Sequence, residues 1–412
     1  MATPPTTFDV VIAGGGYAGL ALALALARAA GPDLAVAVVD RQPLDGGQPG
    51  PDPRAFALAE ASRAMLAALG VWPHLAPHAE PVLAIDLTDS ALTDAVRPVL
   101  LSYDNLVDGR AQMHILEAGR LRAALLDAVR AERTIRLVAP AEFRGLERDV
   151  SSVRLRLGDG SVLEGRLAVA ADGVRSGVRK AAGIGVVGNS FNQLGIVTIV
   201  AHQRPHEGRA VQHFLPGGPF ALLPLPGQRC CITWSEEVSR GREIMALGDT
   251  AFLGEAQQRA GYSLGELSLA GPRACWPLEA QLARSLVAPR LALIGDAARS
   301  VHPIAGQGVN LGLRDVAALA ESLVDGLRLG LEPGDATILE RYERWRRFDG
   351  AQSAAAFSAL NTLFSNDWAV LRGLRDLGVG LVDRLPGLKG LLVAEAAGRT
   401  GAVPRLLKGE PI

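Results

Sequence analysis

FDVVIAGGGYAGLALALALARAAGPDLAVAVVD, residues 8–40, contains two apolar runs separated by a glycine turn and an alanine-rich segment. Phe8 to Ala13 reads as a buried strand, Gly14 to Gly19 as a tight turn, Leu20 to Ala30 as a helix and Leu34 to Val39 as a second strand. A βαβ unit of this kind implies an α/β fold on a parallel sheet. Gly14, Gly16 and Gly19 stand in GxGxxG spacing, where glycine permits the turn and lets backbone N–H groups approach a pyrophosphate at the positive end of the helix. Asp40 ends the second strand about 20 residues later, the place for an acid that hydrogen-bonds a ribose diol. Arg41 beside it is a solvated neighbour, because Asp40 would repel the 2′-phosphate that an arginine there could bind.

The rest of the chain fits this start. Its 412 residues exceed one ordinary core, which suggests two closely packed domains. With 42 basic against 43 acidic side chains, it offers no electrostatic footprint for nucleic acid, so small-molecule chemistry is the better expectation. Cys230, Cys231 and Cys275 have neither disulfide nor zinc spacing and read as reduced core residues. The histidines show no paired ligand spacing, so no metal site is expected. The N-terminus lacks a signal peptide's basic region, and the apolar stretch from Tyr17 stops at Arg28, too short to span a bilayer. A cytoplasmic location is expected.

Further along, helical patterns over Ala59 to Leu69 and Glu117 to Ala131 precede strands near Arg136, Phe143 and Arg154 and a hairpin turn at Asp159-Gly160. An apolar strand, Leu167 to Ala171, then ends at Asp172. From Phe191 to Glu236 the runs IVTIVAH, ALLPL and CCITWS, separated by Pro and Gly turns, suggest an antiparallel sheet and a second domain. The parallel pattern returns at Leu291 to Ile294, and the chain from Val309 onward reads as helical.

Two further stretches carry chemistry. GDAARSVHPIAGQGVNLGLRD, Gly295 to Asp315, sets Gly295 and Asp296 at a strand end, where the carboxylate can meet a second hydroxyl group of one long cofactor. Its turn Gly306-Gln307-Gly308 opens a helix and can offer N–H groups to an anionic ring edge. Two anchors so far apart in sequence suit FAD better than a nicotinamide dinucleotide. DGVRSGVR, Asp172 to Arg179, reads either as a groove lining beside the pyrophosphate or as a capped turn before a surface helix.

Taken in order, GGGYAG with Asp40, DGVRSGVR and GDAARSVHPIAGQGVNLGLRD resemble the group A FAD-dependent aromatic monooxygenases, the para-hydroxybenzoate hydroxylase-like class. Within it the chain is most similar to the ubiquinone-biosynthesis ring hydroxylases. That similarity lies in RAFALAEASRAMLAALGVW (Arg54 to Trp72), AVQHFLPGGPFALLPL (Ala210 to Leu225) and FSNDWAVLRGLRDLGVGLVDRLPGLKGLL (Phe364 to Leu392).

The resemblance implies an α/β fold, α+β overall. A discontinuous FAD-binding Rossmann-like domain would comprise residues 1–75, 100–183 and 283–350, an antiparallel-sheet substrate domain 76–99 and 184–282, and a C-terminal helical segment 351–412. It implies that Gly14, Gly16, Gly19 and Asp40 hold the ADP half of FAD, with Arg54 near the phosphates and Asp172 and Gly173 in a motif shared by cofactor and reductant. Gly295 and Asp296 would bind the ribityl or pyrophosphate region, while Pro303, Gly306, Gln307, Gly308 and Asn310 would lie beside the isoalloxazine. FAD, reduced by NAD(P)H or another donor, would take up O2 as a C4a-hydroperoxide that hydroxylates a phenol ring.

Gln212, Phe214, Phe220 and Leu223 form the expected pocket wall, and plain sheet core is the alternative for all four. His302 reads either as an acid–base group or as a residue that shapes the loop before Pro303. The chain departs from the family in carrying Arg299 where His is more usual and Ala118 where Asn or Arg is more usual, so that the flavin contact there would come from Arg120 or be missing. The expected substrate is a polyprenylated phenol. A small soluble phenol, a non-catalytic FAD-binding subunit of a biosynthetic complex and a flavin-dependent reductase of isoprenoid double bonds stand as alternatives. A complex with other quinone-biosynthesis proteins is a further partner expectation. The amphipathic stretch Leu371 to Val393 reads as a helix packed on its own protein or as a peripheral contact with the inner face of the membrane.

Overall fold

A computed structural model of the chain describes residues 6–44, 52–89, 92, 99–215, 217–300, 308–347 and 402–412. The opening strand runs Thr6–Ala13, the helix Tyr17–Ala30 and the second strand Val36–Val39. Five parallel strands, in the order Ile135–Val138, Val36–Val39, Thr6–Ala13, Val162–Ala170 and Leu291–Leu293, run from one edge into an eight-stranded sheet. Both faces of such a sheet are covered, which is why its strands are continuous apolar runs. The helix after the glycine turn is buried at every position from Gly19 to Ala27, so an Ala/Leu repeat without a polar face suits it. Gly308–Arg328, 21 residues long, packs beside it.

A nine-stranded, largely antiparallel sheet forms the second layer. Its central strand, Val186–His202, pairs with Arg229–Glu237 on one side and Ala274–Ala283 on the other. One face packs under the helices Val238–Ala246 and Asp249–Ala260, with Phe220, Trp234 and Phe252 in the interior. The opposite face meets a small three-stranded sheet that includes Ala55–Ala59 and Met113–Glu117.

The expected boundary between residues 99 and 100 cuts a strand. Val99–Asp104 pairs along its length with Ala84–Asp89 and so belongs to the second sheet. Arg299–Ser300 also pairs into that sheet, through Gln281 and Leu282, and thereby ties the Gly295 segment to both layers. Cys230, Cys231 and Cys275 are free thiols, the first two buried, and burial pushes both of those up to about 12. Among the described residues no helix is long and apolar enough to cross a membrane.

Candidate functional site

Sequence-distant motifs meet at the C-terminal edge of the parallel sheet, where ligands of open α/β sheets bind. Gly14 has φ +115°, and a Cβ there would stand 2.2 Å from the carbonyl oxygen of Ala171, next to Asp172. A Cβ on Gly19 would lie 1.9 Å from the Gly14 oxygen. Both positions therefore need glycine for close backbone approach. Gly16 differs: no heavy atom lies within 4 Å of where its Cβ would be, so the start of the first helix opens onto the cleft. Asp40 braces this turn, accepting a hydrogen bond from the Gly15 N–H at 2.6 Å and another from Gln42 N–H at 2.7 Å.

The second anchor touches the first. Gly295 has φ +58°, and its Cβ would sit 3.1 Å from the Cβ of Ala18. Asp315, fully buried on the long helix, fixes that turn: its Oδ2 accepts from Gly295 N–H at 3.1 Å. Its Oδ1 accepts from Arg299 Nη2 at 2.9 Å and from Arg346 Nε at 2.7 Å. Arg299 thus has a structural partner here, while its Nε and Nη1 meet no acceptor among the described residues. Water reaches Asp296, yet protein surrounds it on the cleft floor. That burial raises its carboxyl above the ordinary value, with Arg54 opposing and Asp315 adding to the rise.

DGVRSGVR serves structure and faces the cleft. Asp172 Oδ2 accepts from the N–H groups of Gly177 at 2.7 Å and Val178 at 3.2 Å, while its buried Oδ1 has no partner among the described residues. Buried Arg179 donates to the Ala297 carbonyl at 2.8 Å, locking this segment to the Gly295 turn.

Arg54 stands where the two sheets meet. Its guanidinium forms a two-pronged pair with Asp52, with Nε at 2.8 Å from Oδ1 and Nη2 at 2.7 Å from Oδ2. It also lies 6.0 Å from the Phe56 ring and 5.4 Å from that of Trp276 on the second sheet. Tyr17 packs edge-on against Phe56 at 4.9 Å, and burial pushes its phenol up to about 12 against the pull of Arg54.

Several expected site residues are placed differently from the sequence reading. The Asn310 side chain ties the start of the long helix to a neighbouring strand and helix: Nδ2 donates to Ala57 O at 2.8 Å, and Oδ1 accepts from Ala59 N–H and Ser62 Oγ. Phe220 faces the helices, 5.7 Å from Trp234, whereas Gln212, Phe214 and Leu223 lie on the opposite, cleft-facing side. Alternation along the strand separates them. Arg120 is exposed, whereas Arg122, after Arg54, is a second cation close enough to act on Tyr17. His302, Pro303, Gly306, Gln307 and the stretch Leu371 to Val393 lie outside the described residues.

Trp276 and Arg346 carried no sequence signal, being single residues far from any motif, and Asp52, two residues before Arg54, was not singled out. Asp315 closes the quoted Gly295 stretch, but its role required knowing that, about two helix turns past Gly308, it would face Gly295.

These residues fit a long dinucleotide. The open Gly16 position, the Gly295 turn packed against Ala18, the Asp296 carboxyl and the Arg54 guanidinium lie together where the parallel sheet meets the second sheet. A site so built belongs to the flavoprotein oxidoreductases.

The comparisons agree. The family model described as FAD binding domain matches residues 7–357. Ubiquinone hydroxylase UbiL of Rhodospirillum rubrum is 41% identical over 408 residues, covering 98% of this chain and 93% of the relative. The 3-demethoxyubiquinol 3-hydroxylase of Escherichia coli is 32% identical, with 94% of this chain and 97% of the relative covered. Among solved structures, p-nitrophenol 4-monooxygenase PnpA of Pseudomonas putida shares the fold, with a TM-score of 0.80 at 18% identity over 96% of this chain and 99% of that one. The chain belongs to the FAD binding domain family, as an FAD-dependent hydroxylase of aromatic rings.

Proposed function

We propose that this enzyme hydroxylates the ring of a polyprenylated phenol on the route to ubiquinone. The observation that carries the proposal is the contact between the two anchors, Ala18 against Gly295, in a segment that Arg299–Ser300 ties to a second sheet with a mainly apolar inner face. In balance, NAD(P)H supplies two electrons, one atom of O2 converts a ring C–H to C–OH and the other leaves as water.

Gly14, Gly16, Gly19 and Asp40 would hold the ADP half of FAD, Asp296 and the start of the Gly308 helix the flavin half, and Arg54, released from Asp52, the phosphates between. When bound, FAD supplies two-electron transfer and oxygen activation. The chain's own task is to orient ring and cofactor and to exclude water. The second sheet does the latter by covering the middle of the cleft. Residues of the parallel-sheet layer form the cofactor domain in this reading, and the nine-stranded sheet forms the substrate domain.

The test combines purified protein with FAD, NAD(P)H and a prenylphenol, following oxygen uptake and product mass, with quinone lipids profiled in cells lacking the gene. One added oxygen in vitro, together with an accumulated prenylphenol restored by wild type and not by Gly16→Val, is the expected result. NAD(P)H oxidation stimulated only by small soluble phenols would overturn the substrate assignment, and no stimulated oxidation at all would overturn turnover.

A further inference from the structure

The cleft-facing side of the second sheet carries a line of residues that the chemistry above does not use. Pairing sets Leu101 beside Leu87, Leu87 beside Gln212, Gln212 beside Ala221 and Ala221 beside Thr233. Directly paired residues share a face, so these five form one row across five adjacent strands. The row lies on the same side as Leu223 and Cys231, away from the helices.

Of the residues flanking the row on that face, Cys231 is fully buried and Ser235 and Phe214 nearly so, whereas Leu223, Ile85 and Tyr103 are half-buried. In the row itself Thr233, Gln212, Leu87 and Leu101 are only half-buried, and Ala221, the smallest, lies between the two polar ones. Strands about 4.8 Å apart put Thr233 and Gln212 roughly 9.6 Å from each other across Ala221, a span that accommodates one oxygen-substituted ring.

Toward the other end the row becomes purely apolar and reaches Val99–Asp104, the last strand of the sheet among the described residues. There Leu101, the last residue of the row, is apolar and half-buried, with no further strand beside it among the described residues.

We infer that this row is the substrate rail: the aromatic head lies over Ala221 between the Thr233 hydroxyl and the Gln212 amide, and the isoprenoid tail runs across Leu87 and Leu101 to the open sheet edge. This rests on the function proposed above and assigns that function's specificity to residues.

The FAD-loaded enzyme and its Leu87→Ser and Leu101→Ser variants are assayed with phenols bearing no prenyl unit, one unit and several units, and binding is titrated in parallel through the flavin absorbance change. The variants should lower kcat/KM for the long-tailed phenol by about tenfold, the loss expected from one or two buried methylene-sized contacts. The loss should shrink as the tail shortens, while kcat stays within about twofold. Gln212→Leu and Thr233→Val should instead weaken all phenols and raise peroxide release per NAD(P)H. An equal effect of the leucine variants on every phenol, or none on any, would overturn the rail while leaving the hydroxylase reading in place. A wild type that turns over no prenylphenol would overturn both.

Discussion

Replacing Asp315 by Asn keeps the side chain's shape and removes its charge. The carboxylate is fully buried and accepts from Gly295 N–H, Arg299 Nη2 and Arg346 Nε within 3.1 Å. An amide presents one oxygen and one NH2, so whichever way it turns, an N–H group must face another donor. Two guanidinium groups, 5% and 1% exposed, also lose this anion. Breaking a buried pair in this way costs about 3–5 kcal/mol, a large share of the roughly 5–15 kcal/mol that holds a domain folded. At about 2–4 °C per kcal/mol, Tm should fall on the order of 10 °C.

Thermal melting by circular dichroism measures this, and flavin-fluorescence titration measures the accompanying rise in Kd for FAD as the Gly295 turn loosens. A Tm within about 2 °C of wild type would refute the idea that this cluster pins the turn, since the exposed-pair value of about 0–1 kcal/mol would then apply. The triple variant Asp315→Leu, Arg299→Leu, Arg346→Met tests the same logic from the other side. An all-apolar replacement should recover much of the stability but not the FAD affinity, because Gly295 N–H still has no acceptor.

Three further outcomes follow from other contacts. Gly16→Val should abolish FAD binding with Tm nearly unchanged, because its Cβ meets nothing within 4 Å, whereas Gly19→Ala should lower Tm as well, its Cβ meeting the Gly14 oxygen; melting with and without FAD separates the two. Asp296→Asn should raise Tm of the FAD-free protein near pH 7. A carboxyl whose folded value lies above its unfolded one costs stability only once ionised, so the gain should vanish as pH falls below about 4, while FAD affinity is reduced at neutral pH. Arg259→Met, which leaves the buried Glu236 carboxylate without its 3.0 Å partner, should destabilise the second sheet by about 3–5 kcal/mol and leave Kd for FAD within about twofold.

The parallel layer was legible in the sequence because its signals are local. A continuous apolar strand, a glycine turn, an apolar helix and a strand-ending acid each depend on neighbours within a few residues, and Thr6–Ala13, Tyr17–Ala30 and Val36–Val39 lie where the pattern puts them. The alternating sheet was legible between Phe191 and Glu236 for the same reason, whereas most of Val99–Asp104 was read into the other domain. Which side of it a residue faces was not. Phe220 and Leu223 sit in one strand with the same apolar character, and only the packing of Phe220 against Trp234 sends one to the helices and the other to the cleft. Asn310 shows the limit at a motif: the spacing marks the helix start, but the side chain answers to Ala57 and Ser62, some 250 positions away.

By itself, then, the sequence determined the layered α/β plan, the glycine positions that require backbone contact and the pair of strand-end carboxylates, because backbone conformation and hydrophobic period are encoded at short range. The tertiary structure decided which distant groups became partners: Gly14 with Ala171, Gly295 with Ala18 and Asp315, Arg54 with Trp276. Those choices depend on where buried charges find counter-charges and where two sheets close on each other, and both are settled only when the layers pack.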